Sequence, residues 1–95
     1  MAAYMIAEID ITDPQGYQAY GMLAIPTIQK FGGKVLVAGE TIENLEGDWH
    51  PKRLVIIEFE SMEQAKRWYN SEEYTPLKNM RFKATNSRGG LAQGI

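Results

Sequence analysis

Residues 53–59 read RLVIIEF, and this stretch decides the fold class. Its β-branched and aromatic side chains favour an extended backbone. An apolar run of this length, interrupted by Glu58, is typical of a central strand that is covered on both faces. The remainder of the chain must therefore supply strands beside it and layers that cover it.

The N-terminal segment predicts a strand followed by a helix. Residues 3–11 alternate with a period of two, so that one face is aliphatic and the other carries Tyr4, Ile6, Glu8 and Asp10. Asp13-Pro14 begins the helix, because Asp caps free amide groups and Pro suits the first helical position. An amphipathic apolar stripe continues from Tyr17 to Phe31.

The helix is expected to end at Gly32-Gly33, since glycine accepts the left-handed conformation of a C-terminal cap. Pro26 lacks an amide hydrogen and predicts a kink or restart of the helix near residues 24–25. A second strand is predicted at Lys34–Glu40. A polar connection over residues 43–52 then leads to the central strand.

The segment after the central strand predicts a second helical region and a weak last strand. Ser61 and Gln64 have the spacing of a reciprocal capping box, in which each side chain bonds to the other residue's amide. Thr75-Pro76 restarts the helix. Gly89-Gly90 is interpreted as a turn that precedes a final strand at residues 91–95.

This element order, β-α-β-β-α-β, predicts a single α+β domain over residues 1–95 with a four-stranded antiparallel sheet. Both helical regions then lie on one side of the sheet, and the other side is uncovered. That side mixes apolar groups such as Ile6 and Ile56 with carboxylates. Exposed apolar area of this kind marks interaction sites, so we expect a homodimer that stacks two uncovered faces around a cavity.

Composition excludes several classes of protein. The chain has no cysteine and one histidine, which excludes disulfides, a thiol nucleophile and a multi-histidine metal site within one copy. A net charge of −2 with scattered Lys and Arg disfavours nucleic-acid binding. The sequence shows neither a signal peptide nor a membrane-spanning run. We therefore expect a cytoplasmic protein that binds no nucleic acid or membrane and uses no metal or cofactor.

Glu58, Glu8 and His50 are the candidate catalytic residues. Both carboxylates are predicted on the uncovered face, on neighbouring strands, where mutual repulsion would raise one pKa and create a general base. The alternative is that they form ion pairs across a dimer. His50, in the polar connection, is the side chain whose ordinary pKa is nearest neutrality, although a loop histidine is more often simply solvated.

Candidate ligand-binding residues are Tyr4, Asp10, Tyr17, Ile56 and Arg81. Arg81 is expected to cap its helix or to pair with a carboxylate such as Glu58. Trp68, Tyr69 and Tyr74 recur at helical spacing, which favours core packing over stacking on a cofactor. Trp49 is interpreted as a dimer contact or a cavity lid.

The chain resembles the bacterial domain-of-unknown-function family thirteen-thirty. The residues that carry the resemblance are Asp13-Pro14, Tyr17, Tyr20, Phe31-Gly32-Gly33, Val55–Phe59, Ser61, Ala65, Trp68, Ser71, Tyr74 and Arg81. The resemblance implies a ferredoxin-like fold of the dimeric α/β-barrel superfamily. Because that family has no established function, it supplies no catalytic residue. Relatives in the superfamily, such as antibiotic-biosynthesis-type monooxygenases and muconolactone isomerases, imply a small-molecule cavity by fold analogy.

Two hypotheses about function remain open. The first is a cofactor-free enzyme, monooxygenase- or isomerase-like, that acts on an aromatic or carbonyl-bearing metabolite. The second is a non-catalytic binding or structural dimer whose cavity is small or filled by side chains. The two differ in whether a ligand-sized cavity with reachable polar groups exists.

Overall fold

The structure is a computed structural model that describes residues 1–95. In chain order its elements are β1 (Ala3–Ile11), α1 (Pro14–Lys30), β2 (Lys34–Gly39), β3 (Leu54–Phe59), α2 (Met62–Tyr69), α3 (Thr75–Ala84) and β4 (Thr85–Gln93). The predicted α+β order is confirmed, and the second helical region consists of two helices.

The sheet has the order β2-β3-β1-β4, and every neighbouring pair is antiparallel. The helices pack on one side of it, so the molecule is a slab only 16 Å thick in its shortest dimension. The open face, as we call the side without helices, carries Tyr4, Ile6, Glu8, Asp10, Leu54, Ile56 and Glu58. The predicted parity of β1 and β3 is therefore confirmed.

The core lies between the sheet and the helices and is thin, because only 15 of the 95 residues are buried. Its largest fully buried side chains are Trp68, Tyr74 and Phe59. The indole of Trp68 lies 5.3 Å from the ring of Phe59 and 4.0 Å from that of Tyr74, measured between centroids. This cluster confirms that Trp68 and Tyr74 are core residues.

Side-chain caps begin α1 and α2 as the sequence predicts. Asp13 accepts a hydrogen bond from the amide of Gly16 at 3.1 Å, and Ser61 accepts one from the amide of Gln64 at 3.1 Å. The reciprocal half of the capping box is wrong. The side-chain amide of Gln64 instead donates to the carbonyl of Phe31 at 2.9 Å, which ties α2 to the end of α1.

The predicted restart of α1 near Pro26 is also wrong, because α1 is one continuous helix from Pro14 to Lys30. A proline removes one backbone hydrogen bond from a helix. The carbonyl that Pro26 leaves without its helical donor is that of Met22. In the next turn the Thr27 hydroxyl donates to the carbonyl of Ala24 at 2.7 Å.

Gly89-Gly90 is not a turn but part of β4, which starts directly after α3. Gly89 lies opposite Ala7 in the ladder with β1. A Cβ atom at Gly89 would lie 2.4 Å from the carbonyl oxygen of Ile6, so the close approach of the two strands requires glycine there. A final strand confined to residues 91–95 was therefore the wrong interpretation.

Candidate functional site

Glu8 and Glu58 both lie on the open face, but they do not form a pair. In the ladder between β1 and β3, Glu58 is opposite Tyr4 and Glu8 is opposite Leu54. The two carboxylates are thus four positions apart along the strand, or about 13 Å at the usual rise per residue. Within one chain the two carboxylates therefore do not lie side by side, as the prediction assumed.

Each of these carboxylates has a donor of its own. The Tyr4 hydroxyl donates to Glu58 Oε2 at 3.1 Å, and this bond, together with the negative charge, raises the pKa of Tyr4. Trp49 Nε1 donates to Glu8 Oε1 at 3.0 Å, and Arg88 Nε donates to Glu8 Oε2 at 2.7 Å. Both carboxylates are therefore already held as hydrogen-bond acceptors within one chain.

His50 and Asp10 lie at one end of the open face, in a depression of about 380 Å³ that we call the rim depression. Glu8 also lines it. His50 Nε2 lies 3.3 Å from Asp48, and Lys52 Nζ donates to Asp10 at 3.3 Å. The imidazole is exposed to solvent, so His50 faces open water rather than a closed cavity.

A second cavity, which we call the helix-side pocket, lies between α1 and the covered face of the sheet. Its volume is about 130 Å³, and 14 of its 17 lining residues are hydrophobic. Its floor includes Met5, Ala7 and Ile57, and its wall includes Ala24 of α1. The charged residues that line it are Arg53 and Arg81, with no carboxylate among them.

Three tyrosines lie between these two arginines. Arg53 Nε donates to the Tyr17 hydroxyl at 3.3 Å, and its guanidinium lies 5.4 Å from the centre of the Tyr17 ring. The ring centres of Tyr17 and Tyr20 are 5.7 Å apart, and the hydroxyls of Tyr20 and Tyr74 are 2.7 Å apart. Arg81 Nε donates to the Tyr74 hydroxyl at 3.3 Å. Burial, followed by the neighbouring Tyr74, raises the pKa of Tyr20 well above its ordinary value.

The predicted ligand-binding residues are thus divided between the two faces of the sheet. Tyr4, Asp10 and Ile56 belong to the open face, whereas Tyr17 and Arg81 line the helix-side pocket. Arg81 cannot pair with Glu58, because α3 packs against the side of the sheet opposite to that carboxylate. It donates instead to Tyr74 and, through Nη1, to Ser87 Oγ at 2.9 Å.

Arg53, Tyr20 and Tyr74 are polar pocket residues that the sequence prediction left out of the site. Arg53 precedes Val55 and Ile57 at even spacing, so strand parity already placed it on the covered face, opposite to Glu58. The structure confirms that separation, because Arg53 contacts Tyr17 of α1. A charged residue at a position that strand parity assigns to the covered face is the sequence signal that marks this pocket.

Two further observations bear on what the chain can bind. No three His, Asp or Glu side chains come together in an arrangement that could hold a metal ion. None of the helices is both long enough and apolar enough to cross a membrane.

Three helices on one side of a four-stranded antiparallel sheet, in this chain order, define a ferredoxin-like α+β fold. The family model described as Domain of unknown function (DUF1330) matches residues 2–95, so the chain belongs to that family. No curated protein matches the sequence. The resemblance inferred from the sequence is confirmed.

Solved structures show the same fold. A protein of unknown function from Rhodopseudomonas palustris is 21% identical with a TM-score of 0.78, and the match covers 99% of this chain and 82% of that one. SnoaB, a cofactor-independent oxygenase from Streptomyces nogalater, is 9% identical with a TM-score of 0.69, covering 99% and 93%. An EthD-family protein from Bacillus halodurans is 14% identical with a TM-score of 0.67, covering 100% of both chains.

Proposed function

We propose that the chain is a homodimeric small-molecule-binding protein of the α/β-barrel kind and that its ligand occupies the helix-side pocket. The observation that carries this proposal is an apolar cavity whose few polar groups are grouped as tyrosine hydroxyls and guanidiniums. Ligand sites are typically apolar cavities with a small number of placed polar groups. The open face, by contrast, offers carboxylates that already have donors.

The volume of the pocket sets the size of the ligand. At about 130 Å³ it is close to the cavity of roughly 150 Å³ that holds benzene in an engineered protein core. A single aromatic ring is therefore the largest rigid body that fits inside. A longer ligand can extend past Ile25 and Val35, which line the pocket and are themselves half exposed at the edge where α1 stops covering β2.

The open face supports the proposed homodimer. Ile6 and Val37 are each 38% exposed, Trp49 is 41% exposed, and Leu54 and Ile56 are half-buried. Together they form an apolar surface on a domain whose own core is thin, and such domains commonly gain stability from association. Two open faces stacked about a two-fold axis would cover these side chains in both copies.

Binding is better supported than catalysis. No carboxylate or imidazole lines the helix-side pocket, and the raised pKa of Tyr20 keeps its hydroxyl protonated near neutral pH. The pocket can therefore donate hydrogen bonds and polarise a ligand, but it lacks a base of its own. If the protein is an enzyme, we propose a cofactor-free monooxygenase- or isomerase-like reaction on an aromatic or carbonyl compound. The fold that the chain shares with SnoaB supports this choice.

The rim depression is a second candidate site, and one observation favours it. It brings Glu8, Asp10 and His50 together around about 380 Å³, so acid–base groups line a larger space than the helix-side pocket offers. Glu58 lies at the other end of the open face, beside Tyr4, and would act there only in a cavity that the dimer encloses. The remaining alternative is a non-catalytic dimer in which Tyr4, Ile6, Leu54 and Ile56 fill that space.

Small aromatic probes test the location of the ligand. The chain has two tryptophans, so in a Trp49→Phe background the indole N–H of Trp68, which lines the pocket, is a single reporter in a ¹H–¹⁵N spectrum. We expect p-cresol or benzoate at millimolar concentration to shift this signal and the amide of Ala24. A spectrum in which neither probe moves these signals contradicts the proposal.

Gly21 provides a matched pair of variants for the same experiment. It lines the helix-side pocket, and an added Cβ atom would meet nothing within 4 Å. Gly21→Leu is expected to place its side chain in the pocket and to abolish the probe-induced shifts, whereas Gly21→Ala should preserve them. Equal shifts in both variants would place the probe elsewhere.

A further inference from the structure

Arg81 is a buried cation without an anion. It is 5% exposed, and its two side-chain hydrogen bonds go to the neutral hydroxyls of Tyr74 and Ser87. None of the ion pairs in the structure includes it. A guanidinium has more N–H donors than these bonds use, and Nη2 takes part in none of them. Burying a charge is costly unless a counter-charge accompanies it.

The adjacent tyrosines add a second unpaired donor. The hydroxyls of Tyr20 and Tyr74 share one hydrogen bond at 2.7 Å, so one of them donates and the other accepts. Arg81 can only donate to Tyr74, which leaves the proton of the accepting hydroxyl with no partner, whichever way the shared bond runs. Because burial raises the pKa of Tyr20, ionisation does not remove this surplus.

A weaker form of this imbalance occurs at Arg53, which, like Tyr17, is half-buried. Its Nε donates to the Tyr17 hydroxyl, whose own proton has no acceptor, and no carboxylate pairs with the guanidinium. The chain carries 12 Asp and Glu against 10 Lys and Arg, yet no acidic residue lines this pocket. The walls therefore present two positive charges and unpaired hydroxyl protons to an otherwise apolar space.

From this excess of donors we infer that the helix-side pocket binds an anionic ligand, specifically an aromatic monocarboxylate whose carboxylate is held by Arg81 with the Tyr20–Tyr74 pair. A carboxylate accepts hydrogen bonds without donating any and matches a guanidinium in charge and shape. The apolar remainder of the pocket has room for one ring. This inference rests on the proposed ligand pocket and adds the charge of the ligand to it.

Benzoate and benzamide test the inference in the unmodified protein. The two molecules have nearly the same shape, but benzamide is neutral and brings donors of its own. We expect isothermal titration calorimetry to give at least a tenfold lower Kd for benzoate. Equal affinities would overturn the anion inference while leaving the proposed pocket intact. Failure of both to bind would overturn the inference and the proposed pocket together.

Arg81→Met separates a ligand-binding role from a structural one. If Arg81 serves the ligand, the variant folds with an unchanged or higher Tm, loses at least tenfold in benzoate affinity and keeps its benzamide affinity. Should the variant fail to fold, Arg81→Lys provides the second test, because it keeps the positive charge but loses the planar guanidinium donors, and it is expected to weaken benzoate by about threefold to tenfold relative to benzamide. Equal losses for both ligands in Arg81→Lys would contradict the inference.

Discussion

The carboxylates of the open face have hydrogen-bond donors, whereas the arginines of the helix-side pocket have no anionic partner. On the open face Glu8 accepts from Arg88 and Trp49, Asp10 from Lys52, and Glu58 from Tyr4. In the pocket, Arg53 and Arg81 have only hydroxyl partners. The comparison teaches that the carboxylates most conspicuous in the sequence already have hydrogen-bond donors within the chain. The groups that still need a partner lie under the helices.

The two tryptophans give the largest expected contrast between the faces. Trp68 is fully buried against Phe59 and Tyr74, whereas Trp49 lies over the open face. Trp68→Ala should lower the free energy of unfolding by about 3–5 kcal/mol, as large-to-small changes in cores do. Trp49→Ala should cost less than about 1 kcal/mol within one chain. Urea denaturation in dilute solution measures both, and similar losses would refute the division into a packed and an open face.

Ile56→Lys tests whether the open face is an interface. Ile56 lies opposite Ile6 at the centre of that face, and a charge there should weaken dimerisation by about 100-fold, or roughly 2.7 kcal/mol. Met22→Lys is the matched control, because Met22 is also apolar and exposed but lies on α1. Sedimentation velocity over a dilution series measures both variants. A dimer that tolerates Ile56→Lys would require a different interface.

Gly89 and Gly90 are adjacent in β4 and provide a matched pair of alanine substitutions within one strand. A Cβ atom at Gly89 would meet the backbone of Ile6 and Ala7, while one at Gly90 would meet nothing within 4 Å. Gly89→Ala should therefore destabilise the fold by about 1–3 kcal/mol. Gly90→Ala should change it by less than about 0.5 kcal/mol. Midpoints of urea unfolding distinguish the two, and equal midpoints would mean that β1 and β4 do not approach this closely.

The smallest expected effect is on tyrosine ionisation. The pKa of Tyr4 is raised by its bond to Glu58, and that of Tyr20 by burial, both from the ordinary value of 10.0. Glu58→Gln should lower the pKa of Tyr4 and leave Tyr20 unchanged in a ¹³Cζ NMR titration. Because a raised pKa favours the protonated native state, the stability due to Tyr20 is complete below its unfolded pKa and decreases as the pH rises above it. An unchanged pKa of Tyr4 in the Glu58→Gln variant would contradict the observed bond.

Local patterns predicted most of the fold. Alternation in β1 and RLVIIEF placed each side chain on its correct face, and Asp13 and Ser61 marked the helix starts. The misassigned segment was β4, in which Gly89 allows close contact with the backbone of Ile6, a residue far away in the chain. From composition alone, two adjacent glycines indicate a turn. The prediction failed because the contact between β1 and β4 joins residues that are distant in the chain.

The site was harder to predict for the same reason. Parity put Glu8 and Glu58 on one face, but the offset between them depends on strand register, which only the paired structure shows. The pocket depends on contacts between distant residues, such as Arg53 with Tyr17 and Tyr20 with Tyr74. No spacing along the chain reveals these contacts. A charged residue at a covered parity position, as at Arg53, is the one local sign that was present.

A crystal structure of the protein with benzoate tests the central claim most directly. We predict electron density for the ring between α1 and the sheet, against Ala24 and Ile57, with the carboxylate within hydrogen-bond distance of Arg81 and of the Tyr20 or Tyr74 hydroxyl. Benzoate bound instead in the rim depression beside His50 and Lys52, with the helix-side pocket empty, would contradict the claim.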